Sequence, residues 1–333
     1  MILVFVEQLG GTVDRGSLPA VALARGLADR MGQPLAAVAF GAGSDAALAS
    51  LGSAGVDAGW SVQEPALEAY APAAWARAIA QLAAAEGAVV VAGPATQRGN
   101  EVLAHVGAHL GQPMAAGCVG VGSLDPFVVT RQRWGGSLLE EARLDAAVRC
   151  LTVADYVPAN GDAGTAGPTG TAGNGGAVRV EDFQPAVAEH DLRVRVARHT
   201  ARETAGVPLA GARVVVGGGR GVGSAADFAP LDELAGLLGG AVGVSRVVTG
   251  AGWRPHSEQI GQTGTRIAPD VYVACGISGA IQHIVGCGGA RTIIAINTDP
   301  EAPIFSRAAY GVIGDLHTIV PAICDEIRRT RGA

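Results

Sequence analysis

The 333-residue sequence has no lysine; all 24 of its basic residues are arginine. That absence excludes a P-loop lysine, a pyridoxal Schiff base and a Ser–Lys dyad together. Aromatic residues are scarce at 4%, and charged residues make up only 16%. No apolar run reaches the roughly 18 residues that a membrane helix needs, so membrane insertion is not expected. The five cysteines (Cys118, Cys150, Cys275, Cys287 and Cys324) show no Cys-x-x-Cys spacing. Their odd number and wide separation read as reduced, buried thiols of a cytoplasmic protein. A net charge of −6 argues against nucleic acid as the main partner. The opening Met-Ile-Leu-Val-Phe-Val6 lacks a basic region and is broken by Glu7, so it reads as a first strand rather than a secretory or transit peptide.

What is abundant is small and apolar: 49% hydrophobic residues and 50 glycines. Such a profile fits a soluble α/β protein, and the length suggests two domains. Strand-like runs at Ile2–Val6, Leu35–Phe40, Ala88–Ala92 and Cys118–Val121 alternate with helical spacing at Leu18–Met31, Ala73–Ala85 and Asn100–Leu110. This alternation predicts a parallel sheet covered by helices on both faces. Phe127–Arg133 and Ala147–Val157 read as later strands, antiparallel at an edge, and Val178–Val196 as one more. Between them, residues 159–177 form a Gly/Ala-rich stretch with almost nothing to bury, expected to be a mobile loop.

A break in pattern near Arg202–Leu209 places a domain boundary there, giving residues 1–204 and 205–333. Beyond it, strands are expected at Arg213–Val216, Val242–Thr249, Val271–Cys275, Thr292–Ile296 and Gly311–Ile313. Helices are expected at Phe228–Leu238, Ile281–Val285 and Leu316–Arg328. The fold class is therefore α/β, with two doubly wound domains. In such a sheet the ligand site lies at the carboxyl ends of the strands, and the polar, glycine-rich segments all fall there.

The motifs fit no common template. Gly217–Gly223 fails the Gly-x-Gly-x-x-Gly offsets, leaving a plain strand-to-helix turn or a phosphate or flavin contact through Arg220. Gly276-Ile-Ser-Gly279 is followed by Ala280 where a nucleophile elbow needs glycine, and no histidine–acid order completes a triad. Backbone amides cradling a pyrophosphate explain it better. His105 and His109 have i, i+4 spacing after Glu101 but no evident third metal ligand. His190, His199, His256 and His317 have no nameable partner, and Trp60, Trp75, Trp134 and Trp253 read as packing residues.

Taken together, Gly218-Gly-Arg-Gly221, Val242-Gly-Val-Ser-Arg246, Gln259-Ile-Gly-Gln-Thr-Gly264, Pro269–Tyr272, Gly276–His283, Ala295–Asn297, Asp299–Phe305 and Gly314-Asp315 resemble, in order and spacing, the FAD-binding domain of electron transfer flavoprotein α subunits. The strand Ile2–Glu7 and the turn Gly93-Pro-Ala-Thr-Gln-Arg-Gly99 extend the resemblance more loosely into the amino-terminal half.

The resemblance implies FAD as cofactor. Its contacts would be Arg220, Ser245, Arg246, Gln259, Ile260, Gly261, Gln262, Thr263, Ser278, Gly279, Ala280, Ile281, Gln282, His283, Asn297, Asp315 and Leu316. By the same resemblance Thr263 would bond flavin N5, Arg246 would lie over the isoalloxazine, and His283 would sit near its O2 edge. Asn297, Asp315 and Leu316 would sit near the adenosine. An electron transfer flavoprotein β subunit is the implied heterodimer partner. Flavin dehydrogenases of the acyl-CoA type (fatty acid β-oxidation) and a quinone-linked oxidoreductase are the implied transient partners. The chain would then be an electron carrier that stabilises a flavin semiquinone and needs no catalytic acid or base. The other readings open to the sequence are an NAD-dependent dehydrogenase domain and a flavin-free scaffold subunit.

Overall fold

The computed structural model describes residues 1–134, 138–154, 176–198 and 207–332. The chain divides into two compact units, Met1–Thr200 and Ala201–Ala333. Residues 155–175 and 199–206 lie outside the described residues, and with them most of the 159–177 stretch, His199 and part of the expected boundary segment.

In the first unit the chain runs through β1 (Ile2–Phe5), the short ribbon β2 (Gln8–Leu9) and β3 (Thr12–Val13), α1 (Leu18–Met31), β4 (Leu35–Phe40), α2 (Ser44–Ala49), β5 (Ala58–Val62) and α3 (Pro72–Ala85). It continues through β6 (Val90–Pro94), α4 (Gln97–Leu110), β7 (Met114–Leu124), β8 (Phe127–Arg133), β9 (Leu138–Arg143), β10 (Arg149–Val153) and β11 (Arg179–Asp182). Among the described residues, nine strands form one sheet in the order β11-β5-β4-β1-β6-β10-β7-β8-β9. Pairings from β11 to β7 are parallel, and only β7–β8–β9 is antiparallel.

The reason β1 is central is its composition. Ile2, Leu3, Val4 and Phe5 are all fully buried, because side chains alternate and both faces of a parallel sheet are covered. Ile2 and Val4 enter the core under α1, while Leu3 and Phe5 enter the core under α3 and α4. The scarce aromatics concentrate in that second core, where Phe40 stacks on Trp75 at 4.4 Å and Phe5 meets both edge-on. Helix ends follow local chemistry: Thr96 caps α4 by accepting from Gly99 N at 2.8 Å, and α4 ends at the left-handed Gly111.

Three expectations about the first unit need correction. β10 is not at an edge but lies parallel between β6 and β7, because a crossover inserts it into the sheet. β7 is not short: it spans eleven residues with a register shift between Cys118 and Gly120, and its many glycines masked the alternation. Of the Val178–Val196 stretch, only Arg179–Asp182 is strand, paired with β5; Leu192 closes a short 3₁₀ turn.

The second unit contains β12 (Val214–Gly218), α5 (Ala229–Leu237), β13 (Ala241–Val244), α6 (Arg246–Gly250), β14 (Val271–Cys275), α7 (Ile281–Cys287), β15 (Thr292–Asn297), β16 (Tyr310–Ile313) and α8 (Leu316–Arg331). Its five strands are ordered β13-β12-β14-β15-β16, all parallel. The β-branched run Val242–Thr249 is not one strand. Ser245 N closes the ladder on Gly218 O at 3.0 Å, and the chain then turns into α6. No helix among the described residues is long and apolar enough to cross a membrane.

Candidate functional site

Strand order reverses between β12 and β14: β13 lies to one side of β12, and β15 and β16 lie beyond β14. Loops leaving two such strands diverge and open a crevice at their carboxyl ends. A cavity of about 560 Å³ occupies that position. After β12 its wall takes Arg220 and Gly221, and after β13 it takes Ser245, Arg246 and Val247. The Gln259–Thr263 loop, the Gly276–His283 segment after β14, and Asn297, Asp299 and Ala302 after β15 complete it.

Glycine makes this convergence possible. Gly219 N bonds Cys275 O at 2.9 Å and Gly221 N bonds Gly276 O at 3.1 Å, so the loops after β12 and β14 touch backbone to backbone. A Cβ at Gly221 would stand 2.8 Å from Gly276 Cα, and one at Gly219 would fall on the Gly276 carbonyl oxygen. Gly276 itself is left-handed, with φ 62°. On the other flank the Gln259–Thr263 loop docks on α7, with Gln262 N bonding Gln282 O at 2.8 Å.

Side chains of opposite character face the cavity. Arg220 and Arg246 are exposed and enter no ion pair among the described residues, so both present a permanent positive charge. His283 is buried, its Nε2 lying 2.8 Å from Tyr272 Oη, while its Nδ1 is buried without a hydrogen-bond partner. Burial drives the His283 pKa down from 6.5 to about 4, only partly opposed by the Ile260 backbone, so the ring is neutral near pH 7. Tyr272, wholly buried, has its phenol pushed well above 10 and stays protonated.

Of the residues expected to contact the cofactor, the wall brings together Arg220, Ser245, Arg246, Gln259, Ile260, Gly261, Gln262, Thr263, Ser278, Ala280, Gln282, His283 and Asn297. Four stand off it. Gly279 packs against the backbone of Ile304, where a side chain would not fit, and Ile281 is 69% exposed and does not line the cavity. Asp315 caps α8 through His317 N at 2.9 Å, and Leu316 is buried beside Gly276. Sequence reasoning missed Gly221, Val247, Gly276, Ile277, Asp299 and Ala302 as wall residues. Asp299 and Ala302 follow β15 directly, and that position was the available signal.

The structure also supplies partners that the sequence did not. His317 bridges Asp315 Oδ1 at 2.8 Å and the Val222 carbonyl at 3.0 Å, tying α8 to the Arg220 loop. His190 lies near Arg77 and Asp191. His109 Nε2 lies 3.4 Å from Ala73 O, and no group of three or more His, Cys, Asp or Glu among the described residues is placed to hold a metal ion.

The two histidines have opposite pH signatures. His317 is raised above 6.5 by its bond to Asp315, so its stabilisation is complete below pH 6.5 and is lost as the pH rises through that raised value. His283 behaves in reverse. Between pH 6.5 and about 4 the unfolded chain takes up a proton that the fold refuses, so stability falls on acidification by roughly 3 kcal/mol. Thermal melts from pH 4 to 9 should show His283→Gln flattening the acid limb and His317→Gln the alkaline limb. An acid limb unchanged in His283→Gln would refute the assignment.

With this geometry in place, comparison with known proteins is direct. The family model of the electron transfer flavoprotein domain matches residues 2–184, and that of the electron transfer flavoprotein FAD-binding domain matches residues 208–288. An electron transfer flavoprotein subunit alpha of Thermoanaerobacterium thermosaccharolyticum is 33% identical across 99% of this chain and 98% of its own length. That of Mycobacterium leprae is 36% identical across 99% of each. Protein FixB of Clostridium saccharobutylicum is 32% identical across 97% of this chain and 94% of its own. The chain belongs to the electron transfer flavoprotein α-subunit family.

Proposed function

We propose that this chain holds FAD in the cavity at the carboxyl ends of β12 to β15 and carries electrons as the α subunit of a heterodimer. The observation that supports this most is the composition of the cavity wall: two guanidiniums that enter no ion pair among the described residues, Ser245, Ser278 and a buried neutral histidine converge on glycine-lined space. The residues present fit a planar, hydrogen-bonding ring joined to phosphates. Bound flavin supplies reversible uptake and release of electrons.

The chain's own groups then divide the work. Arg246 places a permanent charge that favours the ring when it gains negative charge, an effect enlarged where water is excluded. His283, neutral and braced by Tyr272, adds a polar ring to the wall without a competing positive charge. Arg220, at the turn after β12, offers a planar guanidinium suited to phosphate oxygens. Asn297 is held by Ile277 O and by Asp299 N, which fixes the far end of the wall.

In this reading residues 205–333 hold FAD, and residues 1–204 contact an electron transfer flavoprotein β subunit. Electrons arrive from flavin dehydrogenases of the acyl-CoA type and leave to a quinone-linked oxidoreductase. The test is a visible spectrum of the protein co-expressed with a β subunit. Flavin absorption that bleaches on dithionite and returns in air is expected; a colourless preparation that binds nicotinamide nucleotide instead would sink the proposal.

A further inference from the structure

Gln259 is only 3% exposed, which is unusual for an amide whose loop borders a cavity. Both ends of its side chain are engaged. Nε2 donates to Thr263 Oγ1 at 3.0 Å, and Oε1 accepts from Thr249 Oγ1 at 2.6 Å. Its backbone is equally fixed, with N bonded to His256 O at 3.0 Å and O accepting from Thr265 N at 2.7 Å. Gly264 lies so close to that carbonyl that a Cβ there would overlap it.

A hydroxyl carries one proton. Thr249 also lies 3.0 Å from Arg246 O, and its proton serves the nearer Gln259 oxygen. That leaves the Gln259 NH₂ facing Thr263, whose oxygen accepts it. Thr263's own proton has no acceptor among the described residues, and its side chain borders the cavity. We propose that Thr249 and Gln259 are positioning residues that fix the polarity of the Thr263 hydroxyl, holding it as a donor into the cavity. The proposal rests on the flavin reading above. A donor held there strengthens its bond as a ring acceptor gains electron density, so it favours the reduced ligand over the oxidised one. The same chain of bonds joins α6, which begins at Arg246, to the Gln259–Thr263 loop.

Gln259→Glu tests this, because an ionised carboxyl can only accept and draws the Thr263 proton away from the cavity. FAD affinity and midpoint potential are measured for the wild type, Q259E, T263A and Q259E/T263A, across pH and alongside melting temperature. The expected result is that the ratio of reduced to oxidised FAD affinity falls about tenfold in T263A. In Q259E the same loss should develop as the pH rises and the introduced carboxyl ionises, and the double variant should lose no more. T249V should weaken the ratio in the same direction. Bound FAD with a Q259E ratio equal to wild type at every pH, beside a shifted T263A, would overturn the proposal alone. A wild-type protein that takes up no FAD would overturn the flavin reading with it.

Discussion

Gly219→Val is expected to abolish FAD uptake and to destabilise the second unit by about 3 kcal/mol. The difficulty is space rather than backbone angle, because the added Cβ would fall on the Gly276 carbonyl oxygen. That oxygen cannot move away freely. It accepts from Gly221 N at 3.1 Å, and Gly276 N is itself held by Ile296 O at 2.9 Å. The loops after β12 and β14 would have to part, and the crevice they define would lose its floor. Gly236→Ala is the control: Gly236 sits at an exposed position of α5 with nothing near its Cβ position, so it should gain up to about 1 kcal/mol. Chemical denaturation and FAD titration of both variants provide the measurement, and wild-type FAD affinity in Gly219→Val would contradict the packing argument.

Arg246→Ala should lower the midpoint potential of the bound flavin while leaving the fold intact. Arg246 is exposed at the start of α6 and enters no ion pair among the described residues, so its removal leaves no buried charge behind. The lost term is attraction between a fixed guanidinium and a ring that gains negative charge on reduction. For a partly dry site this is on the order of 1–2 kcal/mol, about 60 mV for one electron at the midpoint of that range. Arg246→Lys should recover only part of it, because a mobile ammonium is hydrated where a guanidinium is planar. Equal potentials for wild type and Arg246→Ala in a redox titration would remove Arg246 from its proposed role, while unchanged melting would exclude unfolding as the explanation of any shift.

The sequence was most readable where burial and periodicity agreed. The spacing of Leu18, Val21, Leu27 and Met31 marks α1, and the run Leu35–Phe40 marks β4, both with the same ends as in the structure. Legibility failed where tertiary context overrode local preference. Val247, Val248 and Thr249 are β-branched, yet they form helix because Ser245 is the last residue the sheet can pair. The edge strand β9, Leu-Leu-Glu-Glu-Ala-Arg143, carried too much charge and exposure to stand out. The place of β10 depended on a crossover, which composition does not encode. The wall of the site was legible because its glycines and amides cluster after strands, and strand ends are where an open parallel sheet gathers its loops. The Thr249–Gln259–Thr263 chain was not, since residues ten apart in sequence meet only after α6 has turned back.

The parallel order of the second sheet has one more implication. The segments of the cavity wall follow β12, β13, β14 and β15 or the turns beside them, so no fragment lacking one of those four strands offers the same enclosure. A molecule that fits the cavity therefore recognises the finished fold, and it stabilises that unit by an amount that grows with its free concentration relative to its dissociation constant. Uptake of such a molecule is then a readout of correct assembly: chains that have completed the sheet gain its protection against proteolysis, and incomplete ones do not.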